Sequence, residues 1–309
     1  MINLADFVCT EQQQQQQEPL SLTTTALTLN SDSRRLTTFL NQEERFMPNN
    51  YQTTKQVRNY EEERARVLEL IYETIFPEPQ PRKSDVFHLA ANLIDRYLGY
   101  YPPSTEGEFR TVASACTMIS VKLRRSREEA LSYDSLRPHF YDISEKEVRE
   151  TEKKIARTLK WDLNAITTAD FIEEIAERLA DILPQDHVDK IVCHTHTIAN
   201  VCLLYRSFMN VPPSLVACAC LCDAISHCAT REVYEQCVTS ITQLAGIEQE
   251  ILLQHQKNVN EVFCKRVEQS KEEQEQYTPS DIEAINDIEF GQGRFVYDPP
   301  AALTPQEAC

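Results

Sequence analysis

Residues 86–98 read VFHLAANLIDRYL, and residues 113–123 read ASACTMISVKL. In the first stretch Val86, Ala90, Leu93, Ile94, Tyr97 and Leu98 recur at helical spacing, which predicts a helix over 85–100 with one apolar stripe. The second belongs to a stripe of Phe109, Val112, Ala113, Cys116, Ile119 and Leu123, and its small members let another helix approach closely. Pro102-Pro103-Ser104 punctuates the chain between them. Upstream, Tyr60 to Phe76 reads as a Glu-, Arg- and Leu-rich helix ended by Pro77. Downstream, 131–141 reads as a short helix, and Ser144-x-x-Glu147 is a capping box opening a helix that reaches about Trp161. Thr167 or Thr168 caps the next helix, which runs through Phe171, Ile175 and Leu179 to Leu183, and Pro184 marks a linker. Helices follow near 187–208, 214–229, 231–244 and 248–267, with Ser214 as a cap. No run shows the alternation of a strand, so the expected fold is all-α, a pair of bundles of about five helices each.

Composition narrows the function. Lys+Arg is 31 against Asp+Glu 48, a net charge of −17, which repels a phosphate backbone and argues against bulk nucleic-acid binding. The five glycines make neither a Gly-x-x-x-x-Gly-Lys nor a Gly-x-Gly-x-x-Gly loop, which argues against a nucleotide-cradling enzyme. No segment is apolar for long enough to cross a bilayer, and Met1 to Thr10 carries no basic residue, so no secretory leader is expected. The eleven cysteines lack paired spacing and read as thiols packed like small hydrophobes in a reducing compartment. Cys193-His194-Thr195-His196 with Cys218, Cys220, Cys222 and His227 invites a zinc reading, but no C-x₂₋₄-C knuckles converge four ligands, so packing is favoured and no metal or cofactor is expected. No nucleophile stands beside a base and an orienting group, so no catalytic residue is assigned.

The ends differ from the middle. Residues 1–50, with Gln12 to Gln17 and a Ser/Thr-rich stretch, are expected to be a disordered arm. Residues 268–309, acidic and broken by prolines, are expected to be a disordered tail. The ordered regions are expected at 55–183 and 187–267. Within them, charges interrupt the apolar stripes: Glu152 lies on the stripe of Val148, Ile155 and Leu159, Lys122 lies between Ile119 and Leu123, and Asp95, Arg96 and Arg66 do likewise on earlier helices. A carboxylate on such a stripe is costly unless something pairs with it. These charges are either salt bridges and solvated edges or the rim of a groove that clamps a partner, and spacing alone does not separate the two.

The same residues carry a resemblance. VFHLAANLIDRYL, ASACTMISVKL and the run from Glu147 through ETEKKIARTLKWDL to Thr168-Ala169-Asp170-Phe171 resemble the cyclin box in order and spacing. LLYRSFMNVPPSLVACACLCDAI (203–225) is similar to the second box of that family. The resemblance implies tandem five-helix boxes and a non-enzymatic subunit that binds and activates a cyclin-dependent protein kinase in cell-cycle control. It implies a heterodimer in the nucleus or cytoplasm, without nucleic acid or membrane. The family's kinase-contacting lysine and glutamate fall on Lys122 and Glu152, and its structural Arg–Asp pair falls on Arg66 and Asp95. Arg124 and Arg125 stand where the family often carries acids, which would reverse charge beside the kinase surface. Glu69 replaces an apolar residue of the substrate-docking patch. A cyclin-fold transcription or RNA-processing adaptor and a nutrient-responsive cyclin docking another kinase are the rival readings. Thr278-Pro279 and Thr304-Pro305 are candidate sites for a proline-directed kinase, which would add charge to the tail.

Overall fold

The helices begin and end where local chemistry dictates. The computed structural model describes residues 33–48, 60–76, 84–127, 129, 131–140, 143–183 and 185–275. Among them are eleven α-helices and no strand. We label them α1 (Ser33–Gln42), α2 (Tyr60–Ile75), α3 (Ser84–Leu98), α4 (Glu106–Arg124), α5 (Tyr133–Leu136), α6 (Glu145–Thr158), α7 (Thr168–Leu179), α8 (Gln185–Leu204), α9 (Pro213–Cys228), α10 (Arg231–Ala245) and α11 (Gln249–Glu275). The Thr105 hydroxyl accepts from Glu108 N to open α4. The capping box at α6 is present, with Ser144 N donating to Glu147 and Glu147 N to Ser144 Oγ. At α7 the Asp170 carboxylate accepts from both the N and Oγ1 of Thr167. Gly246, at φ 65°, ends α10 in the left-handed conformation that glycine adopts most easily. Pro213 starts α9, where its missing N–H costs nothing.

Two apolar cores form. In the first, α2 to α6 surround α3 and α4, which bury Phe87, Leu89, Leu93, Leu98, Phe109 and Cys116. In the second, α9 is buried all round from Ser214 to Ile225, as a helix apolar on every face must be, and packs on α7, α8 and α10. Cys218, Cys220 and Cys222 are free, fully buried members of that core, and burial pushes their thiols up, Cys218 to about 12. Among the described residues no group of three or more His, Cys, Asp or Glu is placed to hold a metal ion.

Several expectations need correction. Helix α7 was expected in the first bundle, with the boundary at 183–187. Instead Phe171, Ile172, Ile175 and Leu179 all pack into the second core. The boundary therefore falls near Ala165, and among the described residues α2 to α6 build the first core and α7 to α11 the second, with α1 packed on the latter. The arm expected to be disordered over 1–50 contains α1 and a 3-10 turn at Glu43–Phe46. Leu36 sits in the second core and Phe46 in the first, so this segment lies across both bundles. The tail expected from 268 begins as helix, since α11 runs to Glu275. Ser214 is not a cap. Its N and Oγ both donate to Glu43, so a carboxylate from the N-terminal segment neutralises the start of α9. Thr278 and Thr304 lie outside the described residues.

Candidate functional site

The stripe-breaking charges resolve into two groups. The first is structural. Asp95 pairs with Arg64, not Arg66: Arg64 Nε and Nη2 lie 2.8 and 2.7 Å from the two Asp95 oxygens, and both side chains are buried. Arg64 Nη1 also donates to Leu203 O at 2.7 Å, which ties the pair to the second bundle. Arg66 stands 64% exposed and, among the described residues, its ion-pair partner is Glu63, at 3.7 Å. The physical reason is helix phase: two residues apart on one helix means nearly opposite faces, and Arg64 shares the buried face with Val67, Leu68 and Ile71.

The second group lies at the seam of α4 and α6. Lys122 Nζ and Glu152 Oε1 are 2.6 Å apart, so the two residues the resemblance singled out are each other's partner. The pair is not sealed, however: the lysine side chain is 54% exposed and the glutamate 15%. The bond uses one of three ammonium donors and one carboxylate oxygen, so the lip keeps polar capacity for another molecule. Leu123 beside it is 44% exposed, an apolar side chain without cover. Val148 and Ile155 of α6, Leu159 at its C-cap and Ile119 of α4 close the wall beneath.

Arg124 and Arg125 do not face outward as free charges. Arg124 grips Asp170 with both Nη atoms, at 2.6 and 3.0 Å, and donates to Ala165 O at 2.8 Å. Arg125 makes a similar fork on Asp85 at 3.0 and 2.6 Å. Both guanidiniums are mostly covered, so the charge reversal expected from sequence is absorbed, at the junction of the bundles for Arg124 and within the first bundle for Arg125. Glu69, the odd residue of the patch on α2, is likewise engaged, by Arg266 at 2.7 Å.

A buried polar network between the bundles was missed by the sequence reading. Ser84 Oγ meets His196 Nδ1 at 2.8 Å, His196 Nε2 meets Glu173 at 2.9 Å, and His88 Nε2 meets Asn200 Oδ1 at 3.1 Å. The signal was available, because His88 shares α3's apolar face and His196 lies within an apolar helix. Burial, with His196 nearby, pushes His88 down to about 3, although its bond to Asn200 and the charge of Asp170 oppose the shift. Burial and His227 push His194 down to about 4. An unfolded histidine takes a proton near pH 6.5, while these two folded ones stay neutral until far lower pH. Their contribution to stability is therefore complete above about pH 6.5 and falls as pH drops below it, by about 2 kcal/mol per histidine at pH 5. A urea midpoint measured at pH 7.5 and at pH 5 will show this loss, and His88→Gln will reduce it by about half.

Against known proteins, residues 34–164 match the family model for the N-terminal domain of cyclins and residues 166–290 that for the C-terminal domain. The boundary between the two matches coincides with the one the cores define. Bovine G1/S-specific cyclin-D3 is 27% identical over 186 residues, 59% of this chain and 61% of that protein. Human G1/S-specific cyclin-D3 is 29% identical over 171 residues, 55% of this chain and 56% of that protein. Chicken G1/S-specific cyclin-D2 is 27% identical over 211 residues, covering 66% and 70%. The chain thus spans about three fifths of the length of the cyclin-D3 relatives. A viral cyclin from herpesvirus saimiri shares the fold with a TM-score of 0.61 at 19% identity, over 74% of this chain and 95% of that one.

Proposed function

This chain belongs to the cyclin family, with an N-terminal and a C-terminal domain in tandem, and from that premise we propose that it is a regulatory subunit that binds and activates a cyclin-dependent protein kinase in cell-cycle control. The observation that supports this most is the lip of the α4–α6 seam, where a solvent-facing Lys122–Glu152 pair adjoins an uncovered Leu123. An apolar seam with one donor and one acceptor at its edge suits the end of a kinase helix, which exposes unsatisfied backbone groups of its own. The subunit acts by population shift. It binds the kinase conformation in which the regulatory helix is swung in, and that conformation completes the kinase's own Lys–Glu ion pair. The chain supplies binding free energy and no catalytic residue. Heterodimer formation and a nuclear or cytoplasmic location follow from the same reading.

The experiment is affinity capture from cells with mass spectrometry, repeated with two variants. Lys122→Ala with Glu152→Ala removes both charges, and Lys122→Glu with Glu152→Lys exchanges them while keeping an internal pair. Removing groups that anchor a desolvated interface costs about 2–5 kcal/mol, so kinase affinity drops about thirtyfold or more in both variants while melting stays near wild type. Retention of the kinase by the exchanged variant would mean that the pair serves the fold alone. Recovery of polymerase-linked proteins without a kinase would favour the adaptor reading.

A further inference from the structure

Arg34-Arg35-Leu36-Thr37 is the one place in the sequence where two adjacent arginines stand three and two residues ahead of a serine or threonine. The other adjacent pair, Arg124-Arg125, runs directly into Ser126, and both of its guanidiniums are forked onto carboxylates. Arg34, Arg35 and Thr37 are all exposed on α1. Thr38 and not proline follows Thr37, which sets this residue apart from Thr278 and Thr304. Guanidiniums at that spacing suit an acidic groove, which holds each by charge-assisted, bidentate hydrogen bonds.

The helix that carries the motif depends on its neighbours. It has ten residues, below the about 12–15 at which an isolated helix begins to persist in water. Packing on α7 and the second core keeps it folded. Leu36 is 4% exposed there, and Phe39 meets Phe171 edge-on at 5.7 Å. Arg35 Nε lies 3.0 Å from Glu174 Oε2, and its guanidinium carbon lies 5.4 Å from the centre of the Phe39 ring. While α1 is docked, Arg35 is therefore engaged on α7, and Arg34 points about 100° away from it. One groove reaches both arginines and Thr37 only after α1 has lifted and unwound. A short peripheral helix is the kind of element that opens locally without global unfolding.

We propose that Thr37 is a phosphorylation site for a protein kinase with an acidic substrate groove, and that phosphate on Thr37 keeps α1 off the second bundle. In the transfer, Thr37 Oγ1 bonds to the γ-phosphorus of ATP and the bond from that phosphorus to the β,γ-bridging oxygen breaks. ADP leaves, and the hydroxyl proton passes to the catalytic base of the modifying kinase. The product carries about −1.5 to −2 of charge and three strong acceptor oxygens. Those oxygens compete with Glu174 for Arg35, whose ion pair ties α1 to α7. Glu173 and Glu174 already stand on the helix that α1 must meet again, so the added charge opposes redocking. The site uses neither Lys122 nor Glu152 and is independent of the kinase reading above.

The test incubates the full chain with magnesium, ATP and a purified kinase of that specificity, the catalytic subunit of the cyclic-AMP-dependent protein kinase. Peptide mass spectrometry is expected to place phosphate on Thr37, with Thr38→Val still modified and Thr37→Val not. Arg34→Ala with Arg35→Ala lowers the rate of incorporation about tenfold or more, although loss of the Glu174 tie makes α1 easier to open. Hydrogen exchange then reads the consequence: amides of 36–42 exchange about tenfold faster in the phosphorylated chain, those of α4 keep their rates, and phosphatase treatment restores the slow exchange. The proposal is overturned if Thr37 takes no phosphate, if the arginine substitutions leave the rate unchanged, or if phosphorylated α1 exchanges as slowly as the unmodified helix.

Discussion

Asp95→Ala lowers the stability of this chain by about 3–5 kcal/mol, because it strands a guanidinium that water cannot reach. Arg64 and Asp95 are 2% and 4% exposed, and the fork between them closes at 2.7 and 2.8 Å. Arg64 also donates to Leu203 O, so once Asp95 is gone an uncompensated charge sits against the second bundle as well. The reverse truncation, Arg64→Ala, strands the carboxylate and costs a similar amount. Arg66→Ala is the control: its side chain is 64% exposed and its contact with Glu63 is long, so its cost stays within about 0.5 kcal/mol. Replacing both partners by apolar groups, as in Arg64→Met with Asp95→Leu, removes the charges together and restores most of the loss. Urea denaturation of the four variants checks the order. If Arg66→Ala proves costlier than Arg64→Ala, the buried pair has been misassigned.

Why Arg66 was chosen from sequence, and why Arg64 is correct, marks the reach of sequence reading here. Helical stripes and caps are local, and the capping boxes at Ser144 and Thr167 stand where the residue types place them. The phase of α2 was equally local: Arg64, Val67, Leu68 and Ile71 follow helical spacing, and Arg66 falls off that face. The family pattern, laid two residues out of phase, overrode a periodicity already present in the chain. The side of α7 is a different matter. Its stripe of Phe171, Ile175 and Leu179 is plain, but a stripe shows that a face is buried and not which bundle buries it. Pro184 drew the boundary too late for the same reason.

The candidate site was legible in its residues and not in its pairing. Lys122 and Glu152 are 30 positions apart, and their 2.6 Å contact follows from the packing of α4 on α6, which no local pattern encodes. Arg124 and Arg125 show the same limit. Read in isolation they are two cations beside a binding surface, whereas each is forked onto a carboxylate from another helix, Asp170 or Asp85. A charge in the sequence becomes a surface charge only after the tertiary partners have been assigned.

Phe46→Ala is expected to cost about 3–5 kcal/mol, the usual range for emptying a buried aromatic site. Composition hid this residue. Averaged over 1–50, the glutamine run and the Ser/Thr stretch dilute Leu36, Phe39, Leu40 and Phe46, although those four sit within one short segment. Phe46 is 5% exposed in the first core. The guanidinium carbons of Arg45 and Arg96 lie 5.5 and 5.3 Å from its ring centre, and its carbonyl accepts from Asn92 Nδ2 at 2.9 Å. Truncation to alanine therefore removes a buried ring and two cation–π contacts. The Arg96 guanidinium would keep only Asp162 O, at 2.9 Å, of the contacts described. Glu43→Ala acts at the other end of the same segment. It leaves the exposed-face chemistry intact but removes the carboxylate that accepts from Ser214 N and Oγ, at about 1–2 kcal/mol. Thermal melting of both variants separates the two readings of this segment. If Phe46→Ala melts with wild type, 33–46 contributes nothing to the fold and the arm is the passive leader its composition suggests. If it melts far below, with Glu43→Ala between, the segment is a clasp that holds both bundles from one side.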